Sequence, residues 1–263
     1  MNINQDGILL HDKIKKLLNM YKLGIVTPCY NESQNIEQLL SQIDEVVCGN
    51  KIKTLILIVD DASPDGTALI VRKMIKENQS EFLDIRILER IGKLGLGTAY
   101  IQGIGQIKAE CEFVMEMDAD LSHQPKYIVD FLKVAHLNNL DLVVGSRYID
   151  GGGIENWDLK RKAISRFGSL YAKTILGVNV NDFTGGYNMF RSKFLNKINL
   201  LEQIESIGYL FQIEMKYRSI KAGAKFTEVP IIFPDRVNGE SKMSGSIIKE
   251  AAIGVIKLKL NVK

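Results

Sequence analysis

The sequence has few cysteines and almost no excess of charge. The three cysteines among its 263 residues, Cys29, Cys48 and Cys111, are far apart, odd in number and without metal-ligand spacing. This pattern argues against a disulfide framework or a zinc site and fits a reducing, cytoplasmic setting. Because the 34 basic residues barely outnumber the 31 acidic ones, composition gives no reason to expect a nucleic-acid partner.

Long apolar segments are also missing. No apolar run approaches the roughly 20 residues that cross a bilayer, and residues 1–22 lack the apolar core of a signal peptide. We therefore expect contact with a membrane to be peripheral, at its cytoplasmic face. The length suits one large α/β domain or two small ones.

Apolar runs alternate with helical spacing through residues 23–145. The predicted strands lie at 23–27, 55–59, 83–88, 113–117 and 141–145. Near-continuous apolar strands separated by helices predict an α/β fold with a mostly parallel sheet and helices on both faces. Residues 150–263 are less regular, and we expect them to decorate the same domain.

Polar residues follow four of these strands. They are Tyr30-Asn31-Glu32, Asp60-Asp61, Asp118-Ala119-Asp120 and Arg147. In open α/β sheets, ligands bind outside the carboxyl ends of the strands. The four segments are therefore predicted to converge on one ligand-binding rim.

Asp118-Ala119-Asp120 is the sharpest of these motifs. Two carboxylates one residue apart can bind Mg²⁺ or Mn²⁺ together with substrate phosphates. A polar loop or a helix cap explains the bare tripeptide equally well. For Asp60 and Asp61, the choice is between holding a base or ribose and capping a helix.

Glycines and basic residues carry less information by themselves. The spacing of Gly92, Gly95 and Gly97 does not match the dinucleotide-binding fingerprint, so a tight turn is the better interpretation. Phosphate groups need Arg or Lys. The candidates are Arg147, Arg236 and Lys242, with Arg161, Lys162 and Arg166 as weaker ones; for Arg161 and Lys162 we favour a solvated surface charge.

Five motifs occur in one order along most of the chain. They are VTPCYNE at 26–32, IVDDASPDGT at 58–67, DADLSHQP at 118–125, GSRY at 145–148 and DRVNGESK at 235–242. Together they resemble the family-two glycosyltransferases of GT-A fold, in particular the dolichyl- or polyprenyl-phosphate mannose synthase group. The resemblance extends from about residue 23 to about residue 260.

The resemblance implies a Rossmann-like GT-A fold and a role for each matching residue. The base and ribose pocket would be lined by Pro28, Tyr30, Glu32, Val59 and Asp61. The diphosphate and a Mg²⁺ or Mn²⁺ ion would be held by Asp118, Ala119 and Asp120, with Ser122 where some relatives have a glutamine ligand. The phosphates would be gripped by Arg147, Arg236 and Lys242, so that the catalytic set is Asp120, Arg147, Arg236 and Lys242.

The implied reaction transfers a hexose, by expectation mannose from GDP-mannose, to a polyprenyl or dolichyl monophosphate with inversion. A phosphate acceptor needs no strong base, and the segment after Gly185-Gly186 reaches Glu214 without a Glu-Asp pair. Two alternatives stay open. One is a sibling enzyme that uses UDP-glucose, a UDP-N-acetylhexosamine or a hydroxyl acceptor, and the other is a non-catalytic nucleotide-sugar-binding subunit.

The expected organisation is an N-terminal extension at 1–22, the glycosyltransferase domain at 23–245 and an amphipathic helix at 246–263. One face of that helix is apolar and is formed by Ile247, Ile248, Ala251, Val255 and Leu258. Such a stripe can lie on a membrane surface among anionic headgroups. It would arise equally if the helix covered the core.

Overall fold

A computed structural model describes residues 20–235 and 245–262. The strands are β1 (Tyr21–Cys29), β2 (Thr54–Asp60), β3 (Leu83–Glu89), β4 (Cys111–Glu116), β5 (Leu142–Ser146), β6 (Gly153–Ile154), β7 (Asn188–Arg191), β8 (Phe226–Pro230) and β9 (Ile232–Phe233). The helices are α1 (Ile36–Gly49), α2 (Thr67–Glu77), α3 (Leu96–Ile107), α4 (Ile128–Leu137), α5 (Leu159–Leu176), α6 (Ser192–Lys197), α7 (Leu200–Gln203), α8 (Leu210–Lys221) and α9 (Gly245–Asn261). A single 3₁₀ turn, Pro125–Tyr127, leads into α4.

The described strands form a seven-stranded sheet in the order β3-β2-β1-β4-β7-β5-β8 and a small β6-β9 pair. Only β7 runs antiparallel to its neighbours, β4 and β5. The chain moves outward from β1 through β2 to β3 and then crosses back to place β4 on the other side of β1. Crevices at such a reversal of strand order are where open α/β sheets bind ligands.

Apolar side chains cover both faces of the sheet. Alternate residues of β2 point to opposite sides, so that Ile56 and Ile58 pack with α1, α2 and α4 while Leu55, Leu57 and Val59 pack with α3 and α8. The strands are therefore buried on both faces, which explains why they read as continuous apolar runs. The prediction of a mostly parallel sheet with helices on both faces is confirmed.

Left-handed backbone conformations mark the loops at the carboxyl ends of three neighbouring strands. Asn31 after β1, Ala62 after β2 and Leu121 after β4 have φ of 62°, 55° and 64°. Non-glycine residues adopt this conformation at a cost and mostly where the surroundings hold them in it. The strained loops coincide with the polar motifs identified in the sequence.

The last helix belongs to the core. Val255 and Leu258 are buried in a cluster with Ala172 and Leu176 of α5, and the Tyr171 hydroxyl donates to the Ala252 carbonyl. Of the two uses left open for the apolar stripe, the described side chains therefore favour covering the core. No helix in the described ranges is long and apolar enough to cross a membrane.

Candidate functional site

A cavity of about 340 Å³ opens at the carboxyl ends of β1, β2 and β4 and is called the rim cavity here. The predicted pocket residues that line it are Pro28, Tyr30, Glu32, Asp61, Asp118, Ala119 and Asp120. The fold therefore brings the predicted residues of three separate loops together at one cavity. Val59 is the exception, because its side chain is fully buried beside Gly103 of α3 rather than lining the cavity.

Two basic residues that the sequence did not single out lie at this cavity: Lys93 lines it, and Arg90 binds Asp61 of its lining. The Lys93 ammonium lies 4.6 Å from the centre of the Tyr30 ring. Arg90 is buried and binds both oxygens of Asp61, with Nε–Oδ1 and Nη2–Oδ2 distances of 2.6 and 2.8 Å. Arg90 also donates to Thr98 and to the Gly95 carbonyl, so it ties Asp61 to the glycine-containing turn.

Asp118 is held by groups from two directions. The buried Tyr100 hydroxyl donates to its Oδ1 at 2.7 Å, and its own backbone N–H donates to His123 Nδ1 at 2.8 Å. Burial lowers the pKa of His123, which keeps the ring neutral and Nδ1 available as an acceptor. His123 therefore orients the backbone at Asp118, a role that the spacing of histidines did not indicate.

Asp120 is also preoriented. Both the hydroxyl and the backbone N–H of Ser122 donate to its Oδ1. Ser122 is buried behind Asp120 and does not line the rim cavity. Its predicted part in metal binding stays a prediction, while the structure shows it orienting a carboxylate.

The donor set of the rim cavity fits a hard divalent cation that shares its ligands with a substrate. Asp118 and Asp120 both present carboxylates to the cavity, and Mg²⁺ is commonly bound by one or two carboxylates plus phosphate oxygens. Within residues 20–235 and 245–262, no cluster of three His, Cys, Asp or Glu side chains is arranged as a complete metal site. A bound diphosphate would have to supply the remaining oxygens.

A second cavity, of about 560 Å³, lies beside α5 and is called the α5 cavity. Asp118, Tyr209 and Ala251 line both cavities, so the two spaces meet at one of the candidate metal ligands. The polar lining of the α5 cavity includes Arg147, Lys160 and Arg161. Its apolar lining includes Ile164, Phe167, Tyr171, Phe233 and Val255. Arg147 and Arg161 both lie against the Trp157 ring, so one part of the cavity is basic. A cavity with basic and apolar walls suits an anionic group attached to a hydrocarbon.

Arg147 lies in this second cavity and is already paired. Its guanidinium binds both oxygens of Asp182 at 2.7 Å, and both side chains are buried. Burial alone would raise the pKa of Asp182, but the guanidinium holds it below its ordinary value. Arg147 also donates to Thr184 and lies near the rings of Trp157 and Phe233. Its predicted contact with phosphate would therefore be made by a fixed, charge-balanced group.

The interpretation of Arg161 as a solvated surface charge is wrong. Its guanidinium stacks 3.7 Å from the centre of the Trp157 ring and binds Asp235 at 2.6 Å. Arg161 lines the α5 cavity. Its aromatic partner, Trp157, is four residues away in sequence, but its carboxylate partner, Asp235, is 74 residues away, which explains why spacing alone gave no signal.

Glu214 has a structural role. Its oxygens accept N–H donors from Glu205 and Ser206 and form an ion pair with Arg218 at 2.7 Å. This carboxylate closes the turn before α8 and lines neither the rim cavity nor the α5 cavity. Arg236 and Lys242, the other two predicted phosphate-binding residues, lie outside the described residues.

Known proteins that are similar in sequence to this chain indicate its family. The model of Glycosyl transferase family 2 matches residues 24–198. The chain is 40% identical over 233 residues to the undecaprenyl-phosphate mannosyltransferase of Micrococcus luteus, covering 88% of this chain and 91% of that protein. It is 36% identical to the polyprenol monophosphomannose synthase of Mycolicibacterium smegmatis, covering 88% and 84%.

Solved structures extend the comparison to the fold. Glucosyl-3-phosphoglycerate synthase from Mycobacterium tuberculosis, solved with Mn²⁺, UDP-glucose and phosphoglyceric acid, matches with a TM-score of 0.62 at 16% identity over 91% of this chain and 79% of that one. TarS from S. aureus, solved with UDP-GlcNAc, matches with a TM-score of 0.59 at 18% identity over 92% and 67%. At these identities the matches confirm the predicted fold and nothing finer.

Proposed function

This chain is a glycosyltransferase that belongs to Glycosyl transferase family 2, and from that premise we propose that it transfers mannose from GDP-mannose to a polyprenyl monophosphate. The observation that carries the proposal is the meeting of the two cavities at Asp118. A nucleotide diphosphate fits the strand-end loops of the rim cavity. A phosphate on a hydrocarbon chain fits the basic end and apolar body of the α5 cavity. The names of the two bacterial relatives support the transfer of mannose and the polyprenyl-phosphate acceptor.

The donor half rests on preoriented groups. Tyr30 and Lys93 form a flat, cationic wall suited to a base, and Asp61 is fixed by Arg90 for hydrogen bonds with the nucleoside. Asp118 and Asp120 would hold Mg²⁺ or Mn²⁺ against the diphosphate. When bound, such an ion neutralises the charge that develops on the leaving nucleotide. Groups fixed before the reaction stabilise that charge without reorganising.

A phosphate acceptor explains why the proposed reaction assigns no residue as a general base. A phosphate monoester is already anionic near neutral pH, so its oxygen can attack without giving up a proton to the protein. Asp182 is engaged by Arg147 and Glu214 by Arg218. Attack from the α5 cavity with the diphosphate in the rim cavity puts nucleophile and leaving group on opposite sides of the sugar. That arrangement gives inversion at the anomeric carbon.

The acceptor also implies a docking surface for a lipid bilayer. On α5, the apolar residues Leu159, Phe167 and Leu170 are exposed, and Phe167 also lines the α5 cavity. The same helix carries five basic residues and no acidic one in Leu159–Leu176. We therefore propose that the membrane contact is on the outer face of α5 rather than on the side of α9 where Val255 and Leu258 are buried. Anionic headgroups match this charge.

A donor and acceptor screen tests the proposal. The full chain is incubated with Mn²⁺, a short polyprenyl phosphate and, separately, GDP-mannose, UDP-glucose or UDP-N-acetylglucosamine, and products are identified by mass. We expect a mannosyl-phosphate product and none with the matching polyprenol. Transfer from a UDP-sugar would establish the alternative of a sibling enzyme with a UDP-sugar donor. Transfer to the polyprenol would contradict the proposed phosphate acceptor. Donor binding without any product would indicate a binding subunit.

A further inference from the structure

Lys216 is fully buried on α8 and has no part in the reaction described above. Its Nζ donates to the Gly185 carbonyl at 2.6 Å and to Asn188 Oδ1 at 3.3 Å. Asn188 in turn donates to the buried carboxylate of Glu116 at 2.8 Å. A buried amine is costly unless it is well bonded, and this one directs its shortest bond at a single backbone carbonyl.

That carbonyl belongs to the turn at residues 184–186, which lines the α5 cavity. On the cavity side, the Gly185 N–H donates to Asp182 Oδ1 at 2.9 Å, and Asp182 is the partner of Arg147. Thr184 accepts a hydrogen bond from Arg147 at 3.0 Å. Gly185 is therefore held through its N–H by Asp182 and through its carbonyl by Lys216.

The turn also lies directly against its other neighbours. A Cβ atom at Gly186 would be 3.3 Å from Gln212 Nε2 and 3.4 Å from His123 Cε1. A displacement of this turn would therefore be felt by Gln212 and His123 on one side and by Arg147 on the other. By contrast, none of the residues that Lys216 binds lines the rim cavity.

We propose that Lys216 is a positioning residue for the acceptor: its bond to the Gly185 carbonyl sets the place of turn 184–186, and with it Arg147 and Thr184, at the phosphate end of the α5 cavity. The proposal rests on the proposed function, because it assumes that the acceptor phosphate binds there. It predicts that loss of the bond weakens acceptor binding more than donor binding, because Arg147 bonds directly to Thr184 of the turn whereas Asp118 is reached only through His123.

The test uses the full chain with three variants. Lys216→Met removes the donor, and the double variant E116Q/K216M removes it without leaving a carboxylate unpaired in the core. Met215→Ala is the control, because it takes buried apolar atoms from the same helix without touching the turn. Thermal unfolding, the Kd for GDP-mannose and the KM and kcat with a short polyprenyl phosphate are measured for each.

We expect both Lys216 variants to raise the acceptor KM about tenfold, while kcat and the donor Kd change by less than about threefold. Met215→Ala should unfold at a lower temperature with an unchanged acceptor KM. An acceptor KM within about twofold of wild type in the Lys216 variants overturns the proposal, as does equal weakening of donor and acceptor. Failure of both Lys216 variants to fold also overturns it, since Lys216 would then serve stability first. If the wild-type chain itself transfers nothing to polyprenyl phosphates, the proposed function fails instead.

Discussion

The rim cavity and the α5 cavity are assembled in different ways. Tyr30 and Asp61 come directly after a strand and Asp118 comes two residues after one, and the parallel topology brings them to one edge of the sheet. The charged end of the α5 cavity instead depends on ion pairs between residues far apart in the chain, Arg147 with Asp182 and Arg161 with Asp235. The first kind of site can be found from local motifs, whereas the second depends on the folded chain.

The largest expected effect is in the rim cavity. Asp120→Ala should lower the transfer rate by about 10² to 10³-fold, because the carboxylate would help to hold the cation that neutralises charge on the leaving diphosphate. Thermal unfolding should change less than the rate does, since both hydrogen bonds that Ser122 donates to Asp120 lie within one loop. Steady-state transfer with saturating Mn²⁺ measures the effect, and EDTA should abolish wild-type activity.

Asp130→Ala is the matched control, because Asp130 is an exposed aspartate on the neighbouring helix α4. It should leave both rate and stability unchanged. Full activity of the wild type in chelator would remove the metal from the proposed mechanism. Equal losses in the two variants would show that the effect is not specific to the cavity.

The next largest expected effect is at the α5 cavity and is a loss in the free energy of unfolding. Asp182→Ala leaves the Arg147 guanidinium buried and unpaired, which should cost about 3 kcal/mol or more in the free energy of unfolding. Glu89→Ala removes the partner of Arg72 in an exposed pair and should cost at most about 1 kcal/mol. Urea unfolding at pH 7 compares the two.

The same carboxylate predicts a pH dependence. Burial would raise the pKa of Asp182, but the Arg147 guanidinium lowers it overall. The pKa of this carboxyl group is therefore lower in the folded state than in the unfolded chain. Its contribution to stability is present above the ordinary aspartate pKa and is lost as the pH falls through the lowered one. A wild-type and an Asp182→Ala protein with equal stability at pH 7 would contradict both parts of this prediction.

An intermediate effect should show that the two cavities can be perturbed separately. Arg90→Leu releases Asp61 from its fixed position and should weaken the Kd for GDP-mannose about tenfold, with the acceptor KM unchanged. This is the converse of the result expected for Lys216→Met. Arg72→Leu controls for the loss of an arginine whose partner is exposed. Calorimetry gives the donor Kd, and a parallel rise in the acceptor KM would show that the cavities do not act independently.

These contrasts also explain what the sequence could and could not predict. The strands and most of the rim residues followed from apolar runs that end in carboxylates, because burial on both faces leaves that pattern. Arg90 was missed because its partner, Asp61, is 29 residues away and nothing in either motif refers to the other. Lys216 was not singled out from the sequence, because nothing in the polar sequence of its helix indicates that this lysine is buried. Val59 was assigned to the pocket by resemblance, although its side chain points into the core.

The apolar stripe of α9 is a further feature whose surroundings the sequence could not predict. Periodicity identified an amphipathic helix, but only the neighbouring helices decide which surface its apolar side meets. Val255 and Leu258 are covered by α5 and α8, whereas Phe167 and Leu170 of α5 remain exposed. A single sequence cannot distinguish these outcomes, because both helices carry apolar residues at helical spacing.

The smallest expected effect concerns that exposed face. Phe167→Ser should reduce binding to vesicles that contain anionic lipid by about fivefold, the equivalent of roughly 1 kcal/mol for an aromatic ring that is only partly inserted. Leu137→Ser is the control, because Leu137 is as exposed as Phe167, at 74% against 69%, but lies on α4, whose buried residues belong to a different hydrophobic cluster from those of α5. Flotation at low and high salt measures the binding, and wild-type binding should fall as salt screens the basic residues of α5. If the two variants lose binding equally, or if salt has no effect, then α5 is not the docking face, and the acceptor must reach the α5 cavity by another route.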